Sequence, residues 1–272
     1  MRNALTLLTN EHSAYGAACP GRVAVKLTVL GCAGTFPGPD RACSSYVIEH
    51  EGFRLLIDVG NGALGPLQQH IGLLGINAVL VSHLHGDHCL DLVAYSYALR
   101  YHPEGPLPRL PIYGPVSTRH RFCGAFDDWP SDGLSDVFDF RGIRAGHRAI
   151  GPFEIELDRV RHPIEAYGMR FTAGGRTFTY SGDTGSCEEV EKLARDTDLF
   201  LCESSWAESR GNPPGIHMSG RDAGEAAHRA DAHKLVLTHV VPWAKPEQLK
   251  DEATGQYSGE ILCAEPGATY DI

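Results

Sequence analysis

Between residues 153 and 158, Phe153, Ile155 and Leu157 alternate with Glu154, Glu156 and Asp158, the period of a strand with one face on a core. Alternating or continuously apolar runs predict further strands over 23–30, 45–49, 53–59, 78–81, 110–113, 167–172, 176–180, 198–202 and 235–238. Glu51-Gly52 and Gly174-Gly175 close two hairpins, and the strand of residues 153–161 runs straight into His162-Pro163. Helical spacing predicts helices over 63–72, 89–101, 116–126 and 188–195; the second carries Leu90, Val93, Ala94, Tyr97 and Ala98 at that spacing. Ser219 followed by Asp222 marks a helix start, and Ala223, Ala226, Ala227 and Ala230 form the apolar ridge behind it. Glycines and prolines make residues 31–40 a long loop, and 124–133 reads as a surface loop. Strands interleaved with helices along the whole chain predict an α/β protein.

Composition narrows this little. A 272-residue chain with 42% hydrophobic and 21% charged residues can build one large domain or two small ones. Residues 1–21 lack periodicity and are expected to form a peripheral arm, leaving 22–272 as the folded domain. The eight cysteines show no CxxC pair and several sit in apolar runs, as expected of reduced thiols in a cytoplasmic protein. No stretch approaches the roughly 20 apolar residues that span a bilayer, so no membrane partner is expected. A formal net charge of −10 repels polyanions and weighs against long nucleic acids as partners.

Chemistry concentrates in Ser82-His83-Leu84-His85-Gly86-Asp87-His88, after the apolar run 78–81. Imidazole and carboxylate are the donors that suit a divalent metal such as Zn²⁺. His83 and His85 are two apart, so on an extended backbone they point the same way and can share one ion. Asp87 and His88 follow the turn and can serve a second. Later strand ends carry more candidates: His162 before Pro163, Asp183 in Ser-Gly-Asp-Thr-Gly, and His239 before Val-Val-Pro. Each of these is an ordinary turn or strand end when taken alone. Asp58 before Val59-Gly60 is either a turn residue or a support for the histidine loop.

The series of histidine cluster, single His, Gly-Asp and single His, in this order from about residue 26 to 243, resembles the metallo-β-lactamase superfamily. Gly86 stands where many members carry Ala. The resemblance implies an αββα sandwich, with two mixed β-sheets packed face to face and helices outside. It also implies two divalent ions on His83, His85, Asp87, His88, His162, Asp183 and His239, with Asp183 bridging them. Zn²⁺ is the first choice because most donors are nitrogen, and Mn²⁺ and Fe²⁺ are compatible with the same ligands. His217 before the 219–230 helix, with Glu203 upstream and Arg221 four residues on, resembles the phosphodiesterase branch that includes the tRNA 3′-processing endonuclease. There such a histidine, supported by a glutamate, serves the leaving group.

Leu-Gly-Cys-Ala-Gly at 30–34, the run at 82–92 and Ser-Gly-Asp-Thr-Gly at 181–185 are most similar to actinobacterial cyclic-nucleotide phosphodiesterases of this fold. That similarity implies hydrolysis of 3′,5′-cyclic AMP, with cyclic GMP tolerated, to the 5′-monophosphate, with Asp87, His217, Glu203 and Arg221 in the catalytic set. Two cations roughly 3.5–4 Å apart would activate a shared water near neutral pH. Relatives suggest a homodimer. The loops at 32–41 and 204–215 are candidates for holding the base, with Trp206 either a stacking surface or core. Only 20 residues separate His162 from Asp183, too few for the tRNA-gripping arm of the endonuclease. A tRNA-processing endoribonuclease and a lactone or thioester hydrolase of the same fold are the alternatives. A metal-binding sensor without activity is the alternative of a different class, and it would call for missing ligands.

Overall fold

The computed structural model describes residues 24–123 and 134–272. The expected arm over 1–21 and the surface loop over 124–133 lie outside the described residues.

In the first half, strands β1 (Lys26–Ala33), β2 (Ala42–Cys43), β3 (Ser45–His50), β4 (Phe53–Ile57), β5 (Ala78–Leu80), β6 (Leu110–Pro115) and β7 (Phe138–Ile143) alternate with helices α1 (Leu64–His70), α2 (Gly86–Cys89), α3 (Asp91–Arg100) and α4 (Thr118–Cys123). The second half holds β8 (Gly146–Ile150), β9 (Phe153–Arg159), β10 (Tyr167–Ala173), β11 (Arg176–Tyr180), β12 (Leu199–Glu203), β13 (Lys234–Thr238), β14 (Glu260–Cys263) and β15 (Thr269–Asp271). Helices α5 (Glu188–Ala194), α6 (Gly220–Arg229) and α7 (Pro246–Thr254) connect its later strands. One sheet runs β15-β1-β3-β4-β5-β6-β7 with β2 beside β1, and the other runs β14-β13-β12-β11-β10-β9-β8. Both mix parallel and antiparallel pairs.

The side-chain period of two explains the layering. Leu55 and Ile57 of β4, Phe153, Ile155 and Leu157 of β9, and Leu199 and Leu201 of β12 share one buried cluster, the filling between the sheets. Intervening Leu56 and Val79 face α1 and α3 on one outer side, while Phe200 and Leu235 face α5, α6 and α7 on the other. The result is helix, sheet, sheet, helix, as the family resemblance implied.

Two helices show how far the pattern carried. The alanine ridge of α6 is buried as expected, and Ser219 with Asp222 forms a reciprocal capping box. In α3 the buried side chains are Leu92, Tyr95, Ser96 and Leu99, whereas Leu90 is 49% exposed and Tyr97 is 41% exposed. The expected face was two residues out of phase, nearly the opposite side of the helix, because aromatic Tyr95 and hydroxylated Ser96 were not weighed as core; Val93 and Ala98 are only partly buried. Among the described residues no helix is long and apolar enough to cross a membrane.

Candidate active site

The loops that follow β5, β9, β11, β12 and β13 converge at one end of the sandwich. His83 and its neighbours follow β5, His162 follows β9, Asp183 follows β11, Glu203 ends β12 and His239 follows β13. Parallel strands release their loops at a common edge, where ligand sites in α/β folds collect.

Four side chains meet in one group: His83, His85, His162 and Asp183, with donor atoms mutually within 4.8 Å. The Nε2 atoms of His83 and His162 lie 3.2 and 3.0 Å from Nδ1 of His85. The Nδ1–H of His162 donates to the carbonyl of Ile216 at 3.0 Å, which leaves its Nε2 as a lone pair aimed at the others. A second group joins Asp87, His88, His239 and the same Asp183. Here Nε2 of His88 is 3.1 Å from Oδ1 of Asp183, and Nε2 of His239 is 3.3 Å from its Oδ2. Asp183 is therefore shared by both groups.

The backbone around these donors is closely fitted. Gly182 has φ +59°, and a Cβ there would lie 2.6 Å from the carbonyl oxygen of Tyr167. His239 itself has φ +56°, an unusual state for a side-chain-bearing residue and one that functional sites tolerate. Its Nδ1 lies 3.0 Å from the Ser44 hydroxyl. The amide of Thr35 donates to Oδ2 of Asp87 at 2.7 Å, so the 31–40 loop fixes that carboxylate. Gly86, by contrast, has open space where its Cβ would be, so an alanine would fit.

Asp58 takes both roles left open for it. It has φ +55° at the end of β4, and its buried carboxylate accepts from the amide and hydroxyl of Ser82, from Nδ1 of His88 and from the hydroxyl of Tyr180. It orients a candidate ligand and tethers the loop that carries two others.

Electrostatics agree with a cation-binding role. Burial lowers the pKa of His83, His85, His162 and His239, which favours the neutral form that a metal ion binds. Burial opposes ionisation of Asp183, but His239, His88 and His83 outweigh it and hold the carboxyl well below its usual range. His88 is held well above its usual range despite burial, because Asp183 and Asp58 flank it. Nε2 of His88, Nε2 of His239 and Oδ1 of Asp183 are buried without a hydrogen-bond partner. Buried polar atoms left without partners are costly, and a shared divalent cation satisfies all of them at once. The donor set fits.

His217 stands beside these groups, with Nδ1 3.0 Å from Oε1 of Glu203 and 3.9 Å from Oδ2 of Asp183. Both oxygens of buried Glu203 are fully engaged: Oε1 also accepts from the amide of Thr184, and Oε2 accepts from the Ser205 hydroxyl and the Met218 amide. Glu203 is thus a fixed clamp for His217. Burial works against charge on His217, but the Glu203 carboxylate pushes its pKa up to about 9. Trp206 is half-buried with its ring edge-on to His217 at 5.2 Å, so it is packing for that histidine and not core.

The expected role of Arg221 needs correction. Its guanidinium pairs with Glu225 at 3.0 Å on the exposed side of α6, one helical turn away, and no hydrogen bond joins it to His217. His217 precedes the Ser219 cap, whereas Arg221 lies within the first turn and projects outward. Ser82, quoted in the histidine motif without a role, holds His83 through its hydroxyl, and two residues outside any motif, Ser44 and Tyr180, hold His239 and Asp58 through theirs. No local motif marks such residues.

A cleft of about 500 Å³ opens over the cluster, lined by Thr35, Phe36, Asp87, Leu90, Asp183 and His217 among others. Residues 53–240 match the family model of the beta-lactamase superfamily domain. The chain is 41% identical to an uncharacterized protein of Mycobacterium leprae, over 92% of this chain and 89% of that one. It is 30% identical to a probable metallo-hydrolase of Bacillus subtilis, YhfI, over 91% of this chain and all of that one. The YhfI crystal structure superposes with a TM-score of 0.83 at 28% identity, covering 92% of this chain and 100% of that one. Ribonuclease Z of Haloarcula marismortui is 26% identical over 89% of this chain and 95% of its own. The chain belongs to the beta-lactamase superfamily and is a metallo-hydrolase of the metallo-β-lactamase fold.

Proposed function

We propose that this metallo-hydrolase is a phosphodiesterase acting on 3′,5′-cyclic nucleotides, with cyclic AMP the preferred substrate and the nucleoside 5′-monophosphate the product. The observation that carries the reading is His217, a histidine clamped by a fully engaged buried glutamate and set beside Asp183. A sugar alkoxide is a poor leaving group and calls for a positioned proton donor, and a clamped imidazole kept charged to about pH 9 is such a donor.

His83, His85, His162 and Asp183 hold one divalent cation in this reading, and Asp87, His88, His239 and Asp183 hold a second. Zn²⁺ suits the nitrogen-rich set best. Bound cations there supply Lewis acidity toward the phosphate oxygens and lower the pKa of water. Asp58, Ser44 and Ser82 keep the ligand imidazoles turned inward. Water adds to phosphorus and gives up one proton to solvent, the bond from phosphorus to O3′ breaks, and His217 gives its proton to O3′ and regains one from solvent.

A small substrate is favoured over RNA by the connection between His162 and Asp183. Most of residues 163–182 are consumed by β10 and β11 and the turn between them, within the sheet, and project no arm. The ribonuclease among the relatives supports phosphodiester chemistry in the family without giving this chain that substrate. Buried Cys32, Cys43 and Cys89, whose thiols burial pushes up to about 12, fit a reducing cytoplasm. Product analysis tests the reaction: metal-loaded protein given 3′,5′-cyclic AMP yields 5′-AMP, and 3′-AMP or no hydrolysis would contradict it.

A further inference from the structure

We infer that Trp243, with Phe36 and Arg210, forms a subsite that stacks the base of a nucleotide at the mouth of the catalytic cleft; this rests on the proposed phosphodiesterase reading. Trp243 is 61% exposed, an expensive place for an indole. It is also held in place. Its ring lies 4.8 Å from that of Phe36, and the guanidinium of Arg210 sits over it at 5.7 Å. Phe36 lines the cleft together with Asp87, Asp183 and His217, so Trp243 adjoins the cleft through the ring it packs against.

Three chain segments build this wall. Phe36 lies in the loop after β1, where the amide of the preceding Thr35 grips Asp87. Trp243 comes four residues after His239, in a segment tied to the same loop by the bonds between Val240 and Cys32 and between Gly34 and Val240. Arg210 comes from the 204–215 loop, beyond Glu203. Each segment also carries or positions a member of the cluster, so the wall is fixed relative to the phosphate end of a ligand. Half-exposed Leu90 lines the same cleft. A ligand with its phosphate at Asp183 and a flat apolar ring at the cleft mouth fits this arrangement, whereas a lactone or a bare phosphodiester leaves the indole uncovered. Trp206, the tryptophan first considered for stacking, is already committed to His217.

Base stacking on an aromatic side chain contributes enough to change affinity by about tenfold. The test compares ligands with and without a base on metal-loaded protein. By isothermal titration calorimetry, 5′-AMP should bind the wild type about tenfold more tightly than ribose 5-phosphate does. Trp243→Ala should erase that ratio, and Trp243→Tyr should restore most of it. The ratio of kcat/KM for 3′,5′-cyclic AMP over the base-free ribose cyclic phosphate should fall in parallel. Equal binding of both ligands by the wild type, or a ratio that survives Trp243→Ala, overturns the inference. Base-dependent binding through Trp243 without hydrolysis of any cyclic nucleotide overturns the proposed reaction and leaves the subsite standing.

Discussion

Nδ1 of His88 donates to Oδ2 of Asp58 across 2.7 Å, and both side chains are fully buried. The same carboxylate also holds Ser82, whose hydroxyl is 3.0 Å from Nδ1 of His83, so one aspartate orients candidate ligands of both groups. Asp58→Asn puts an amide where only acceptors serve. Metal affinity should fall about 10- to 100-fold, the usual cost of losing a partner behind a ligand histidine. Metal content after dialysis against a graded chelator measures this; a change below twofold would show that Asp58 serves only the turn.

Shared Asp183 and clamped His217 separate by their effect on metal. Asp183→Ala should lose metal together with activity, while His217→Ala should keep its metal and lose about 10²- to 10⁴-fold in turnover, as for a general acid. Elemental analysis of both purified variants distinguishes the roles. Loss of metal from His217→Ala would make His217 a ligand.

The Glu203 clamp has a pH consequence. His217 acts when protonated, and Glu203 raises its pKa to about 9, so the rate should persist below that pH and fall as pH rises through it. In Glu203→Gln the charge that raises the pKa is gone, and the alkaline limb of the kcat profile should move to lower pH. An unmoved limb would assign it to another group.

Gly34 tests how closely the histidines are packed. A Cβ there would lie 2.4 Å from the carbonyl oxygen of His239 and 2.9 Å from its Nε2. Gly34→Ala must push His239 away, costing about 1–3 kcal/mol of stability by overpacking and weakening metal retention. A thermal melt with parallel metal analysis checks both, and wild-type values in each would mean that the loop yields freely.

The fold was legible where strands are buried on both faces or alternate strictly, as in β4, β9 and β12. Of the five strands that the pattern did not find, β7, β8, β14 and β15 are the outermost strands of the two sheets, and β2 is a two-residue strand beside β1. An edge strand pairs on one side only and carries residues such as His147 and Arg148 in β8, so its polarity resembles a loop. Helix α7 was also missed, although Pro246 at its start and Leu249 with Ala253 four apart carry the signal. At the site, the histidines and Asp183 were visible because their residue types are scarce and stand at strand ends. Ser44 and Tyr180 were not, since their meaning comes from partners 195 and 122 residues away. Arg221 misled because spacing along a helix says which residues are neighbours, not which way a side chain turns before the cap.

The central claim is the substrate, and a single competition decides it. The Zn²⁺- or Mn²⁺-loaded protein is given 3′,5′-cyclic AMP, a precursor tRNA and a lactone under identical conditions, and kcat/KM is measured for each. The cyclic nucleotide should have the highest value; faster cleavage of the tRNA or the lactone would contradict the proposed substrate.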